Sequence, residues 1–230
     1  MVSSAESRDL RSKLVNNLIR ESILKRDYTK HARLNVERER YAEPATSLEE
    51  CYSDVPLRIG SNQTISAPHM VAIFLDELEL RQGVKVLEIG TGSGYHAAVT
   101  MTALDYLGGG ELCSVEIDPD LLNNARRRLE MIQTEKVALR LYLRDGYYGL
   151  PEQAPFDRIY VTASITEKPH KLYEQLANKG VMLYPFGLPG VQELIKATKE
   201  DGRISESRLM LCSFVSLRRK IYWHDDSQTV

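Results

Sequence analysis

Val84-Lys85-Val86-Leu87-Glu88-Ile89-Gly90-Thr91-Gly92-Ser93-Gly94-Tyr95 is the stretch that decides the fold. Its first six residues form a short, mostly apolar run that stops at glycines, which reads as a buried strand. From Tyr95 to Leu107 the apolar residues recur at helical spacing. A strand that passes through a glycine-rich turn into a helix opens a unit of alternating strands and helices. Glycines in such a turn let the chain reverse tightly and let a ligand approach the backbone.

Working outward toward the C-terminus, the alternation continues. Leu112 to Val115 reads as a second strand. Asp118-Pro119 opens a helix running to about Ile132, with Asp as N-cap and Pro at the first helical position. Val137 to Leu143 and Asp157 to Thr162 read as the third and fourth strands, and Pro169 to Leu176 as a helix stopping near Gly180. Val181 to Tyr184, Gln192 to Ala197 and Leu209 to Leu217 are later strands. The last two have only an Asp201-Gly202 turn region between them, so an antiparallel hairpin is expected. Toward the N-terminus the texture is charge-rich and helical, with Leu14, Val15, Leu18, Ile19, Ile23 and Leu24 at helical spacing. No strand pattern shows before residue 80. The expected fold is α/β: a Rossmann-like, doubly wound, mostly parallel sheet with helices on both faces and antiparallel C-terminal strands. A helical N-terminal annex over 1–60, a main domain over 61–218 and a tail over 219–230 complete the division.

Three acids stand at successive strand ends. Glu88 lies two places before Gly90, Glu116 ends the second strand, and Asp145-Gly146 follows the third. Ligands of open α/β sheets bind at that edge, where Glu116 can accept from both ribose hydroxyls and Asp145 from an adenine amino group. The glycine spacing is G-x-G-x-G, with Tyr95 where a dinucleotide fingerprint places its third glycine. A carboxylate at Glu88 repels a pyrophosphate but favours the ammonium of S-adenosylmethionine (AdoMet). A nicotinamide dehydrogenase is disfavoured on both counts.

The composition narrows the setting. The chain has 230 residues, 43% hydrophobic and 27% charged, with a net charge of -2. That balance offers no footprint for nucleic acid. The start, Met1 to Leu10, does not read as a secretory signal, and no apolar run is long enough to span a bilayer. Cys51, Cys113 and Cys212 are odd in number and widely spaced, so neither a disulfide framework nor a metal site is expected, and a cytoplasmic location is the simplest.

Upstream of the sheet lie Ile59-Gly60 and Gln63-Thr64-Ile65-Ser66-Ala67-Pro68-His69-Met70. This block resembles the signature of the protein-L-isoaspartate O-methyltransferase family. The glycine loop, Asp145-Gly146, Ala154-Pro155-Phe156-Asp157 and Val161-Thr162-Ala163 are similar to that family too, over roughly residues 10 to 218. The resemblance implies methyl transfer from AdoMet, leaving S-adenosyl-L-homocysteine, to the free α-carboxylate of isoaspartyl residues in damaged proteins and peptides. It implies Ser66 as the active-site serine. Thr64, Ile65, Ser66, Glu88, Gly90, Thr91, Gly92, Gly94, Glu116, Ile117, Asp145 and Gly146 are the expected cofactor residues, and His69, Thr162 and Ala163 are expected at the substrate. Arg144, Ser164 and Val181 depart from residues frequent in that family.

A carboxylate is ionised at neutral pH, with a reference pKa of about 4, so the expected reaction needs no general base. Ser66 has two readings that can coexist: a hydroxyl that orients the carboxylate, and the N-cap of the helix through Met70 to Leu80. A serine-protease reading lacks a G-x-S-x-G elbow, and no Asp or His partners for Ser66 are apparent. Another AdoMet-dependent methyltransferase and a non-catalytic AdoMet-binding protein are the alternatives. Oligomeric state is not legible, although Ile221-Tyr222-Trp223 is apolar enough to dock.

Overall fold

The computed structural model describes residues 4–132 and 134–219. The chain begins with helices α1 (Ser4–Arg20) and α2 (Asp27–Asn35), followed by one 3-10 turn at Arg38–Arg40. Leu14, Val15 and Leu18 of α1 are buried, the stripe that helical spacing places on one face. The short α3 (Leu48–Cys51) is capped by Ser47, whose side chain accepts from the Glu50 N–H. Strands β1 (Leu57–Arg58) and β2 (Thr64–Ile65) then pair antiparallel, before helix α4 (Pro68–Glu77). This pair corrects the expectation of no strand before residue 80. Two residues per strand are too few for period two to show.

The central sheet follows. Its elements are β3 (Lys85–Ile89), α5 (Tyr95–Tyr106), β4 (Gly110–Glu116), α6 (Pro119–Leu129), β5 (Val137–Leu143), β6 (Phe156–Val161), α7 (His170–Gln175), β7 (Leu176–Leu188), β8 (Val191–Glu200) and β9 (Arg203–Cys212). The spatial order is β5-β4-β3-β6-β7-β8-β9. The pairs from β5 to β7 are parallel, and β7-β8 and β8-β9 are antiparallel. The chain moves outward from β3 through β4 to β5, then returns to β3's other side as β6. Loops leaving β3 and β6 therefore diverge and open a crevice at the carboxyl edge. Helix α6 starts as its sequence implies: Asp118 accepts from the Asp120 and Leu121 N–H groups at 3.0 and 3.2 Å, with Pro119 in the first turn.

Side-chain alternation splits the core in two. Val86, Leu112, Tyr160, Leu183 and Leu194 face one layer, which also contains apolar residues of α1, α2, α4 and α5. Leu87, Ile89, Cys113, Val115, Ile159, Val161 and Met182 face the other, beneath Leu172 and Tyr173 of α7. The first layer joins Leu14 and Leu57 to Val71 and Leu104, so residues 1–60 share a core with the sheet. The 60/61 division itself falls in the turn between β1 and β2.

Two C-terminal expectations shift. The last strand is Arg203–Cys212 rather than Leu209 to Leu217. It is an edge strand and mostly exposed, so burial imposes no alternation on its sequence. Helix α7 ends at Gln175, and Gly180 lies inside β7 instead of ending the helix. Of the tail 219–230, only Arg219 falls among the described residues.

Candidate functional site

Two clefts meet at the carboxyl edge of the sheet. The first encloses about 730 Å³ of space, counting its open mouth, and sits over the glycine loop. Its walls include Thr64, Ile65, Ser66, Gly90, Thr91, Gly92, Glu116, Ile117, Gly146, Thr162 and Ala163. The second is lined by Pro56, Thr64, Ser66, Ala67, His69, Met70, Thr162 and the segment from Leu211 to Val215. Thr64, Ser66, Thr162 and Val215 border both clefts.

The loop owes its shape to local sequence. Gly90 has φ +96°, and a Cβ there would stand 2.3 Å from the Thr162 hydroxyl. That hydroxyl donates to the Gly90 carbonyl at 2.8 Å, so the backbone approach is closed to any side chain. Glu116, buried at the end of β4, accepts from Gly92 N–H at 2.8 Å, Ile117 N–H at 2.9 Å and Asp118 N–H at 3.1 Å. One carboxylate thus organises both the glycine loop and the turn after β4.

The other sequence-predicted acids lie elsewhere. Glu88 does not line the cleft: its side chain faces the helical layer and is fully buried. The parallel register sets Glu88 beside Ser114 on β4 and Tyr160 on β6. Ser114 donates to it, and its second oxygen has no hydrogen-bond partner. Burial pushes its carboxyl up to about 8, and the nearby Glu116 charge adds to the rise, against the hydrogen bond from Ser114. The expectation of a Glu88 carboxylate facing a bound ammonium therefore gives way to a buried carboxyl below the loop. Asp145 is buried too, accepts from Tyr147 N–H at 3.0 Å, and leaves the wall to Gly146. Gly94 faces away, where a Cβ would meet Ala125 of α6 at 3.2 Å, so it serves helix packing.

Ser66 is partly exposed at the junction of the two clefts. It is not the N-cap of α4: Ala67 holds that position, without a side-chain cap, and Pro68 follows in the first turn. The Ser66 carbonyl accepts from Arg38 Nη2 at 3.2 Å. Beside it, His69 Nδ1 lies 2.9 Å from Asp54 Oδ2, and the His69 N–H donates to Asp54 Oδ1 at 2.9 Å. Asp54 escapes sequence reasoning because its partner lies fifteen residues away, across the β1–β2 pair. His96 lines the first cleft, with both ring nitrogens unpartnered, and burial lowers it to about 3.

The C-terminal segment also forms a wall. Ser164 N–H donates to the Val215 carbonyl and Leu217 N–H to the Ser164 carbonyl, each at 2.8 Å. Arg218 donates to Asp118 at 3.2 Å and approaches Glu116 to 4.0 Å, while Arg219 stacks 3.6 Å from the Tyr147 ring centre. No local pattern could place these residues, because the contacts cross roughly fifty to a hundred positions of chain. Among the described residues no three His, Cys, Asp or Glu side chains gather as a metal site. Among them, too, no helix is long and apolar enough to cross a membrane.

Residues 9–221 match the family model for protein-L-isoaspartate(D-aspartate) O-methyltransferase. A protein-L-isoaspartate O-methyltransferase from Methanococcus aeolicus is 40% identical over 213 residues, covering 93% of this chain and 96% of its own. One from Hyperthermus butylicus is 39% identical over 225 residues, covering 95% and 92%. Among solved structures, the Plasmodium falciparum protein described as a beta-aspartate methyltransferase, in complex with S-adenosyl-L-homocysteine, superposes with a TM-score of 0.78. It is 29% identical, with 90% of this chain and 98% of that one covered.

Proposed function

The chain belongs to the protein-L-isoaspartate(D-aspartate) O-methyltransferase family, and on that premise we propose how its site works. The enzyme transfers a methyl group from AdoMet to the free α-carboxylate of L-isoaspartyl residues in damaged proteins. The observation that carries the reading is the junction: the cleft over the glycine loop and a second cleft share Ser66, Thr64, Thr162 and Val215. A donor in the first cleft and an acceptor in the second would meet across those four residues.

The first cleft fits AdoMet on its own geometry. Gly90 and Gly92 have positive φ and line the space, and Glu116 lines it beside the turn after β4, where it would accept from the ribose hydroxyls. Glu116, Ile117, Gly146 and the loop Gly90 to Gly92 would hold the nucleoside and the amino-acid end. The cofactor supplies an electrophilic methyl on a sulfonium. The protein supplies alignment, because a carboxylate with a pKa of about 4 is already a nucleophile at neutral pH. Alignment of this kind contributes up to roughly 7–11 kcal/mol to a bimolecular reaction. The Ser66 hydroxyl, which has no hydrogen-bond partner among the described residues, would donate to the substrate carboxylate. His69, held by Asp54, borders the peptide side of the junction. The segment from Val215 to Arg218 forms a further wall of the same cleft.

The test is methyl transfer from labelled AdoMet to an isoaspartyl peptide beside its aspartyl twin. Label is expected on the first and almost none on the second. Equal labelling of both, or of neither, overturns the reading.

A further inference from the structure

Arg38 is fully buried, yet among the described residues no carboxylate pairs with it. Its Nη2 donates to two carbonyls, Val55 at 2.9 Å and Ser66 at 3.2 Å. Its Nε and Nη1 have no hydrogen-bond partner. The guanidinium lies 5.7 Å from the centre of the Tyr95 ring, and a second buried guanidinium, Arg33, lies 5.4 Å from the same ring. Burial pulls Arg38 down to about 10, so it stays charged at neutral pH. An arrangement built for stability alone would not leave a charged fork half satisfied in the interior.

What the fork does hold is informative. Val55 precedes Pro56, which lines the second cleft, and Ser66 borders both clefts. One NH2 group of Arg38 therefore ties the two sides of the substrate entrance together. It also fixes the peptide plane that follows Ser66. The Ser66 hydroxyl makes no bond among the described residues, so the backbone is clamped while the hydroxyl stays available. We infer that Arg38 is a positioning residue of the transfer reaction, acting through Ser66 by clamping its carbonyl to that of Val55. The inference rests on the assignment of Ser66 as the group that orients the carboxylate. The guanidinium suits the task because both N–H bonds of the NH2 group are held in one plane, whereas an ammonium is tetrahedral and turns about its stem.

The experiment compares Arg38→Met and Arg38→Lys in the wild-type and Ser66→Ala backgrounds. Single-turnover methyl transfer to an isoaspartyl peptide, AdoMet binding by calorimetry and thermal melting are measured on the same samples. In the wild-type background, Arg38→Met is expected to slow transfer at least about tenfold while AdoMet affinity stays within about twofold, and Arg38→Lys to give partial activity. In the Ser66→Ala background the same change should cost nothing further, the non-additivity of two residues acting as one unit. A slow Ser66→Ala enzyme that Arg38→Met slows again by the full factor overturns this inference and leaves the Ser66 assignment standing. Full turnover in Ser66→Ala alone overturns both. A lower melting temperature with unchanged turnover per folded molecule makes Arg38 structural only. Should Arg38→Met fail to fold, Arg38→Lys carries the same two-background comparison.

Discussion

Replacing Glu88 by Gln should change how stability depends on pH while leaving the cleft alone. The carboxyl is fully buried, takes a hydrogen bond from Ser114 and leaves one oxygen unpartnered, and burial raises it to about 8. In the unfolded chain a glutamate titrates at about 4.3. Between the two values the folded protein keeps a proton that the unfolded chain has released. The stability from this group is therefore fully present below the unfolded value and is lost as pH rises through the folded one. At about 1.4 kcal/mol per pH unit, the three units from roughly pH 5 to pH 8 amount to about 4 kcal/mol. Glutamine has almost the same shape and no charge to desolvate, so Glu88→Gln removes that part of the slope. Denaturant unfolding of both proteins across the window measures it. Variant minus wild type should grow by on the order of 4 kcal/mol and level off above about pH 8. A difference independent of pH would refute a buried, proton-bearing Glu88. The same samples test its place in the fold: AdoMet affinity near neutral pH should hold within about threefold, since no wall of the cleft changes.

Ser66→Ala should lower the transfer rate with almost no loss of stability, because the hydroxyl does not cap α4 and has no partner to lose among the described residues. A hydrogen bond to a charged group is worth about 1.5–3 kcal/mol, which is roughly a ten- to 150-fold slower single turnover. A destabilised protein of full activity would return Ser66 to a structural role. Glu116→Ala removes the acceptor of three backbone N–H groups and, on the proposed reading, that of the ribose, so AdoMet binding by calorimetry should weaken at least about tenfold. An unchanged dissociation constant would make Glu116 a bystander.

Much was already decided by local sequence. The run from Val84 to Ile89, the glycines after it and the Asp118-Pro119 cap each specify their structure within a few residues. Backbone conformation and capping are short-range physics, so strand, loop and helix fall where the sequence places them. Their alternation then requires a mostly parallel sheet with its ligand edge at the ends of β3 and β4. The block from Thr64 to His69 pointed to the chemistry before any contact was known.

Side-chain facing and long-range pairing were decided only by the tertiary structure. Glu88 and Glu116 both sit at strand ends on the same face of the sheet, yet register sets Glu88 deeper, beside Ser114, and leaves Glu116 beyond the last β3 partner, on the cleft wall. Ser66 looked like a helix cap until the backbone began α4 one residue later. Arg38, in a charged stretch with nothing to distinguish it, became the clamp of the Ser66 carbonyl. Arg218 reached Glu116 and Asp118 across a hundred residues. A sequence carries periodicity and capping in its nearest neighbours, but which polar group meets which across the core depends on how the finished layers pack. That packing is set by the burial of the whole apolar surface at once.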